Sequence, residues 1–373
     1  MKNLYEHPKR KTKVVFVQLG SPSEPTPKAL RKYLRKFLGD PRVVDINPWI
    51  WKIILYLFVL PFRPRKSAKL YERIWDGESF PLITNTRDFT KNVSDELMKI
   101  DPMGYVEVNY AFLLSPPYVH EVYDSWEEDL KKGIGATKLL VIPMFPQYSE
   151  STIASGIDAL ANELSKRVKI PTFEVITNFH RTHAFIDNSV KVVDKKLKDL
   201  KKQGKKIDTL IITFHGMQKR RIVKKGDDYY RHCYETFCLI TNNLKNINPN
   251  KCHMSFQSRF GSEEWITPYT EEVVEKLISD GKKEIVIYSP SFVADCLETT
   301  DELGHELVND AKEWGGNIYP VECLNTDKEW CKDFAKYTFI QAEGSAQDKE
   351  DIEYKVEKKY YQKMPQQIMN KNN

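Results

Sequence analysis

Short apolar runs alternate with amphipathic stretches along most of the chain. The runs are rich in β-branched and aromatic residues, and the stretches between them repeat their apolar positions every three to four residues. This pattern predicts strands separated by helices. The predicted strands are Lys13–Leu19, Val106–Leu113, Lys138–Pro143, Phe173–Thr177, Thr209–Phe214, Cys252–Gln257, Glu284–Tyr288 and Gly316–Val321. Because four of them fall in each half of the chain, the sequence predicts two α/β domains with parallel sheets.

The same pattern suggests the domain limits. We place an N-terminal domain at 1–178 and a C-terminal domain at 179–342, since 373 residues exceed a usual single core. Residues 343–373 are polar and highly charged, which predicts a solvent-exposed helix or a loose tail. In parallel sheets ligands bind at the carboxyl ends of the strands, so those ends are where functional residues are expected.

One segment, 48–62, departs from the alternating pattern. Its sequence, PWIWKIILYLFVLPF, is almost wholly apolar and is interrupted only by Lys52, and Arg63 and Arg65 follow it. It is too short for a membrane span of roughly 20 residues. Two interpretations remain: a helix buried in the core, or a surface helix that dips into a membrane interface.

Four carboxylates recur after the predicted strand Glu284–Tyr288. Asp295, Glu298, Glu302 and Glu306 are spaced by three, four and four residues, which places them on one face of a helix. Stacked like charges repel each other, and for an acidic helix taken alone a solvated face is the more common explanation. The alternative is a row of ligands along which a divalent cation passes.

His215 directly follows the predicted strand Thr209–Phe214. An imidazole there, with Gly216 behind it, lies where a ligand can approach, and its ordinary pKa of about 6.5 suits a general base. A lone histidine is more often structural, whereas a nearby carboxylate would raise its basicity and hold its tautomer. Since His215 and the acidic row both follow strands, together they favour a catalytic or metal-handling site.

Polar and aromatic residues follow the predicted strand Cys252–Gln257. Gln257, Ser258 and Arg259 offer donors to an anion, and Trp265 offers a flat stacking surface. The sequence has no G-x-G-x-x-G, Walker or G-x-S-x-G motif. A dinucleotide site, a nucleoside triphosphate site and a serine hydrolase therefore have little support.

Composition and charge exclude further classes. The net charge of +5 is weak, and no nucleic-acid motif accompanies the basic clusters. The six cysteines contain no C-x-x-C pair, so neither a zinc site nor an iron–sulfur site is indicated. Their scatter is typical of a reducing compartment, and residues 1–13 lack the apolar region of a secretion signal. We therefore expect a cytoplasmic protein, with membrane association through 48–62 left open.

A series of short motifs occurs in a fixed order across 13–340. They are QLGSP (Gln18–Pro22), LGDPRVVD (Leu38–Asp45), LPFRPRKSAKLYERIW (Leu60–Trp75), PQYS (Pro146–Ser149), FHGM (Phe214–Met217), GDDYYRHCYET (Gly226–Thr236), FQSRFG (Phe256–Gly261) and FVADCLET (Phe292–Thr299). The ordered set resembles the ferrochelatases, enzymes that insert ferrous iron into a porphyrin. The form of the apolar segment and the DCLET variant are most similar to the proteobacterial branch.

The resemblance implies a chelatase-like α/β fold. Two similar Rossmann-like domains, each with a parallel four-stranded sheet flanked by helices, would face across a cleft that holds the macrocycle. His215 would be the family's catalytic histidine and Glu298 its conserved glutamate, and both would handle the metal. Glu302 and Glu306 would continue an acidic metal path, with Asp295 in support.

The resemblance also indicates where the porphyrin binds. The predicted substrate-binding residues are Tyr148, Ser149, Gln257, Ser258, Arg259 and Trp265. Some positions depart from the family pattern: Gln218 replaces a turn proline, Leu113-Leu114 replace an Arg-Tyr pair, and Cys296 stands where many relatives have histidine. Because no cysteine lies beyond Cys331, we expect no [2Fe–2S] cluster.

We therefore predict an enzyme that inserts Fe²⁺ into protoporphyrin IX with release of two protons. No cofactor is required, the partners are the porphyrin and ferrous iron, and no nucleic acid is involved. Alternatives are coproporphyrin III as the substrate, a related sirohydrochlorin or cobalt chelatase, and a non-catalytic porphyrin or haem carrier. The sequence leaves open the oligomeric state, and which of His215 and Glu298 binds iron and which removes the pyrrole protons.

Overall fold

The computed structural model describes residues 11–133, 135–259, 261, 263–362 and 364. The strands are β1 (Thr12–Gln18), β2 (Val106–Phe112), β3 (Lys138–Pro143), β4 (Thr172–Val175), β5 (Thr209–His215), β6 (Cys252–Gln257), β7 (Glu284–Tyr288) and β8 (Asn317–Pro320). They form two four-stranded sheets, with the orders β2-β1-β3-β4 and β6-β5-β7-β8. Every pairing between them is parallel. The predicted fold class, two parallel four-stranded sheets flanked by helices, is confirmed.

Helices connect the strands, as parallel pairing requires a crossover from one end of the sheet to the other. The α-helices are α1 (Pro27–Phe37), α2 (Pro48–Ile54), α3 (Leu60–Arg73), α4 (Pro81–Ile100), α5 (Val119–Lys131), α6 (Ser155–Leu164), α7 (His183–Lys202), α8 (Lys219–Val223), α9 (Tyr229–Asn243), α10 (Thr270–Ser279), α11 (Leu307–Glu313), α12 (Lys328–Glu343), α13 (Ala346–Asp351) and α14 (Lys358–Tyr361). Leu55–Val59, Glu150–Ala154 and Glu298–Glu306 are π-helical, and Pro249–Lys251 is a 3₁₀ turn.

The described chain divides into two compact units whose limits differ in part from the predicted domains. The first unit comprises the chain up to Phe145, Glu150–Asn178 and Thr326–Glu350. The second comprises Pro146–Ser149, Phe179–Asn325 and the chain from Asp351 onward. The chain thus changes unit close to the predicted boundary at 178, but residues 326–342 belong to the first unit and not to the second.

Aromatic packing explains why α12 belongs to the first unit. Trp330 and Phe334 of α12 are fully buried. Their ring centroids lie 5.6 and 5.4 Å from that of Phe89 on α4, and Phe334 lies 5.6 Å from Phe16 of β1. Burying each such ring contributes about 2 kcal/mol. Periodicity predicts this helix but does not indicate which sheet it packs against.

The C-terminal residues 351–361 are bound to the second unit. The backbone N–H of Tyr354 donates to the carbonyl oxygen of Arg181 at 2.9 Å, and the hydroxyl of Tyr361 donates to the buried carboxylate of Glu235. For these residues the prediction of an exposed helix or loose tail is wrong, because Tyr354 and Tyr361 form hydrogen bonds to the second unit. The part of the predicted tail from residue 365 lies outside the described residues.

The apolar lip, residues 48–62, lies on the surface of the first unit. Its exposed large apolar side chains are Trp49 (78%), Ile50 (56%), Ile53 (59%), Tyr56 (49%), Leu57 (62%), Phe58 (64%) and Phe62 (71%). Leu55 and Leu60 point the other way and join a buried cluster with Leu34 and Leu38. The interpretation as a buried core helix is therefore wrong. None of the described helices is both long enough and apolar enough to span a membrane.

Candidate active site

His215 ends β5, an interior strand of the second sheet. Its backbone N–H donates to Oγ of Ser291 at 3.2 Å, and the hydroxyl of Tyr229 donates to its carbonyl oxygen at 2.9 Å. The Tyr229 and Ser291 hydroxyls lie 3.2 Å apart, which closes a ring of three hydrogen bonds when Ser291 donates to Tyr229. This ring fixes the backbone of His215.

The imidazole of His215 is oriented by the next residue. Its Nδ1 lies 2.7 Å from the carbonyl oxygen of Gly216. Because a carbonyl can only accept, this contact assigns the proton of the neutral ring to Nδ1 and leaves Nε2 as the basic nitrogen. The half-buried ring therefore presents a base or a metal ligand at the carboxyl end of the sheet.

Tyr229 and Ser291 were not among the predicted site residues. Tyr229 begins α9, and its backbone N–H donates to Oδ1 of Asp227 at 2.9 Å. Burial raises the pKa of Tyr229 well above its ordinary value, so its hydroxyl remains a donor. The signal in the sequence was the GDDYYRHCYET motif, but a motif does not reveal which backbone its tyrosine contacts.

Gly216 permits a close approach between β5, β6 and an aromatic side chain. Its N–H donates to the carbonyl oxygen of Gln257 at 2.7 Å. A Cβ at this position would lie 2.7 Å from that oxygen and 2.9 Å from Cε3 of Trp265, so no larger residue fits without displacement. Trp265 is buried, and the predicted aromatic wall therefore adjoins the backbone next to His215.

The side chain of Gln257 is buried but its amide is unsatisfied. Gln257 is 2% exposed, and neither its Oε1 nor its Nε2 has a hydrogen-bond partner among the described residues. The indole N–H of Trp265 is also buried and unpartnered among them. Native buried amides are nearly always satisfied, so this pair of residues is suited to bind a ligand or water.

The segment Pro146–Ser149 follows β3 of the first sheet but belongs to the second unit. Its Gln147 donates from Nε2 to Oγ1 of Thr236 on α9 at 3.2 Å. Within the segment Tyr148 is half-buried and Ser149 is buried. The structure thus assigns these two predicted porphyrin contacts to the unit that carries the histidine.

The acidic row lies on a π-helix, where we predicted an α-helix. Residues 298–306 have i→i+5 hydrogen bonding, which is rare in proteins and frequent at functional sites. Glu298 and Glu302 are half-buried and Glu306 is exposed. The row therefore runs from the interior of the second unit to its surface.

The carboxyl group of Glu302 has a raised pKa. Burial and the negative charge of Glu298 raise the pKa of Glu302 to about 8, although a hydrogen bond from Ser258 acts in the opposite direction. Ser258 has a φ of 64°, a left-handed conformation that costs roughly 1–2 kcal/mol for a residue other than glycine. In this conformation its hydroxyl reaches Glu302.

Asp295 is held by hydrogen bonds to protein groups. Its Oδ1 accepts from the Thr299 hydroxyl at 2.8 Å, and its Oδ2 accepts from Nδ2 of Asn325 at 2.5 Å. Asn325 also accepts the backbone N–H of Asp295 at 2.8 Å. The carboxylate therefore ties the start of the π-helix to the loop after β8, and its assignment to the metal set remains a prediction.

The remaining predicted metal residues do not form one cluster. In the described ranges no group of three or more His, Cys, Asp or Glu side chains is placed to hold a single metal ion. Burial and the nearby Glu298 raise the pKa of the Cys296 thiol well above its ordinary value, so that thiol is neutral.

Arg259 is exposed and packs on an aromatic ring. Its guanidinium carbon lies 4.5 Å from the ring centroid of Tyr269, a cation–π geometry. The structure thus shows a protein contact for Arg259. Its predicted contact with the substrate remains a prediction.

Together these features define a class of protein. A histidine ends one strand of a parallel sheet, and a row of carboxylates follows the neighbouring strand β7. Imidazole and carboxylate are both ligands for divalent iron, so an α/β protein of two parallel four-stranded sheets carries metal-binding side chains at the carboxyl ends of its second sheet.

Comparisons with known proteins identify the family. A family model described as Ferrochelatase matches residues 11–340. A protein named ferrochelatase from Idiomarina loihiensis is 36% identical over 315 residues, which cover 84% of this chain and 83% of that protein. The chain belongs to the ferrochelatase family of metal-chelatase lyases.

One further relative has a porphyrin in its name. A ferrochelatase from Francisella tularensis subsp. tularensis is 35% identical over 333 residues, covering 87% of this chain and 94% of that protein. A coproporphyrin III ferrochelatase from Streptococcus mutans is 36% identical over 294 residues, covering 79% and 86%. A solved multi-domain protein from Deinococcus radiodurans with structural similarity to chelatases has a TM-score of 0.42 and 10% identity, covering 91% of this chain and 56% of that protein. At such similar identities the relatives establish the family without distinguishing between the two porphyrins.

Proposed function

We propose that this protein inserts Fe²⁺ into protoporphyrin IX, giving protohaem and two protons. The proposal depends on the placement of His215 and Glu298. A ring of three hydrogen bonds holds the backbone of His215, and the neighbouring strand β7 leads into the π-helix that carries Glu298. A base and a carboxylate held in one unit can act on the same macrocycle.

The reaction must remove two pyrrole protons and strip water from the iron. In the proposed mechanism His215, through Nε2, and Glu298 share proton removal and metal delivery. Glu302 and Glu306 carry the metal or the released protons between Glu298 and solvent. Weak, labile ligation suits this task, because iron that is bound too tightly would not be transferred.

The porphyrin is proposed to contact the residues around the strand ends. The proposed contacts are Tyr148, Ser149, Gln257, Ser258, Arg259 and Trp265. The unsatisfied amide of Gln257 supports a polar contact, and the indole of Trp265 supports a stacking wall. Iron is the substrate in this scheme, and we propose that no cofactor is needed.

Turnover tests the proposal directly. Purified protein is mixed with protoporphyrin IX and Fe²⁺ or Zn²⁺ under reducing conditions, and the absorbance of the metalloporphyrin is followed. We expect saturable formation of product. A protein that binds porphyrin without inserting metal would be a carrier and would refute the proposal.

Parallel assays with coproporphyrin III decide the substrate. A larger kcat/KM for coproporphyrin III than for protoporphyrin IX would make coproporphyrin III the assigned substrate.

We further propose that this protein is cytoplasmic and that it associates peripherally with membranes through the apolar lip. Replacing Trp49 and Leu57, which are 78% and 62% exposed, with glutamate is expected to reduce binding to vesicles at least about tenfold. Each side chain loses a transfer free energy of roughly 1.5–3 kcal/mol and gains a charge. Co-sedimentation with vesicles of mixed zwitterionic and anionic phospholipid measures the change.

The matched control for the lip is Val168→Glu. Val168 is an exposed apolar residue of the first unit, at 101%, but lies outside the lip. Its variant should bind vesicles like the parent protein. Unchanged binding of the Trp49 and Leu57 double variant would exclude the lip as the membrane contact.

A further inference from the structure

A histidine that the proposed mechanism does not use joins α9 to the segment Pro146–Ser149. The backbone N–H of Tyr148 donates to Nδ1 of His232 at 3.2 Å. His232 is 6% exposed, so the bond forms away from water, where leaving a backbone N–H unpaired is costly. One turn further along α9, Thr236 accepts from the side chain of Gln147 at 3.2 Å. The helix therefore holds two successive residues of the segment.

Only a neutral His232 can accept this bond. Its other nitrogen, Nε2, lies 3.5 Å from Nη2 of Arg231, which is always a donor. An imidazolium would thus direct both of its N–H groups at donors. A neutral imidazole has one ring nitrogen whose lone pair can accept a hydrogen bond. The shorter contact, from the backbone N–H of Tyr148, identifies that nitrogen as Nδ1. Burial, assisted by the neighbouring His180 and by the charge of Arg231, lowers the pKa of His232 to about 2, in agreement with a neutral ring.

A buried network fixes the plane of the His232 ring. The ring stacks on that of His180, with centroids 4.0 Å apart and planes 21° apart. Nε2 of His180 lies 2.7 Å from Oε2 of Glu235, and both side chains are nearly inaccessible to solvent. Since the carboxylate accepts, His180 donates and its ring is held in place. His232 is thereby kept in the plane in which Nδ1 meets Tyr148.

We propose that His232 is a positioning residue for porphyrin binding, whose neutral Nδ1 fixes the backbone of Tyr148 and so places the side chains of Tyr148 and Ser149. The inference rests on the proposed function, in which those side chains contact the macrocycle. The backbone of His215 is held by a separate hydrogen-bond ring through Tyr229 and Ser291. Loss of the acceptor at 232 should therefore weaken porphyrin binding more than it slows the chemical step.

Two variants at position 232 test this role. His232→Leu keeps apolar volume but removes the acceptor, and His232→Asn places an amide oxygen close to the position of Nδ1. We expect the Kd for metal-free porphyrin, measured by fluorescence, to rise about five- to tenfold in the leucine variant, which corresponds to one lost hydrogen bond. In the asparagine variant the Kd should lie within about twofold of the parent value. The kcat for zinc insertion should change less than about twofold in both.

The control is a residue on the same helix. Thr241 is buried and donates to the carbonyl oxygen of Phe237 at 2.8 Å, so Thr241→Val removes a buried hydroxyl of α9 away from Pro146–Ser149. It should leave the Kd unchanged. An unchanged Kd in His232→Leu, or equal losses in the leucine and asparagine variants, would overturn the inference.

Amide hydrogen exchange separates failure of this inference from failure of the proposed function. Exchange at Tyr148 should be faster in His232→Leu and restored in His232→Asn, whether or not the protein turns over. A parent protein that binds porphyrin but inserts no metal would refute the proposed function, while the Kd series would still decide the role of His232. If His232→Leu does not fold, Thr236→Val releases Gln147 instead. Its Kd should rise with little loss of kcat, and an unchanged Kd would overturn the inference.

Discussion

Replacing His215 with alanine is expected to lower metal insertion at least about a hundredfold while the protein stays folded. Nδ1 of His215 donates to Gly216 at 2.7 Å, so Nε2 is the nitrogen that can take a proton or bind the metal. Loss of a positioned acid–base group typically costs roughly 10²- to 10⁴-fold in rate. The backbone bonds to Ser291 and Tyr229 do not involve the imidazole, and the fold should therefore persist. Initial rates of zinc insertion into protoporphyrin, with thermal unfolding, measure both effects.

The control for this prediction is His253→Ala. His253 is half-buried on β6, the strand paired with β5, and it has no role in the proposed mechanism. Its variant should retain full activity. Glu298→Gln is the companion change and should reduce the rate by a similar factor. Full activity in the His215 variant would exclude the proposed chemistry, and equal losses in the two histidine variants would indicate damage to the sheet.

The interior strands β1, β3, β5 and β7 could be predicted from the sequence because they are buried on both faces. Such strands are written as continuous apolar runs, and β3, β6 and β7 begin and end at the predicted residues. The helices predicted between successive strands then indicated that the strands pair in parallel. His215 was found for the same reason, since a polar residue that directly follows a buried strand is conspicuous.

Contacts between distant residues could not be predicted. The hydrogen-bond ring around His215 joins pairs of residues that are separated by 14, 62 and 76 positions in the sequence. The hydrophobic periodicity of a sequence gives no information about such long-range contacts. The same holds for α12, whose aromatic face is compatible with either sheet. Asp295 shares the spacing of the acidic row, yet its carboxylate is bound by Thr299 and Asn325.

The π-helix was missed because its sequence also fits an α-helix. Carboxylates spaced by four residues lie near one another on either kind of helix, so the spacing predicted the row but not its hydrogen bonding. The raised pKa of Glu302 has a similar origin. Charge repulsion along the row was expected from the sequence, whereas the burial that causes most of the shift was not.

The second large effect is expected at Glu235, whose replacement by glutamine should destabilise the protein by about 3 kcal/mol at neutral pH. Burial alone would raise the pKa of Glu235, but hydrogen bonds from His180 and Tyr361, with the nearby Arg231, outweigh it and lower the pKa to about 2. A carboxylate with a depressed pKa stabilises the fold above its ordinary pKa of about 4.3. That contribution is lost as the pH falls toward 2. Urea unfolding at pH 7 and pH 3.5 measures the change.

The pH dependence distinguishes the charge of Glu235 from its shape. The difference in unfolding free energy between the parent protein and Glu235→Gln should be largest at pH 7 and should narrow as the pH falls below about 4.3. In that range Glu235 of the unfolded parent takes up a proton, whereas in the folded parent, with its pKa of about 2, it stays ionised. Glu353→Gln is the control: Glu353 pairs with Arg181 at 2.8 Å but is 30% exposed, and exposed pairs contribute about 1 kcal/mol or less. If the loss of unfolding free energy in Glu235→Gln does not depend on pH, packing, and not the ionised carboxylate, holds this network together. His180 would then lack the charged partner that keeps the His232 ring in place.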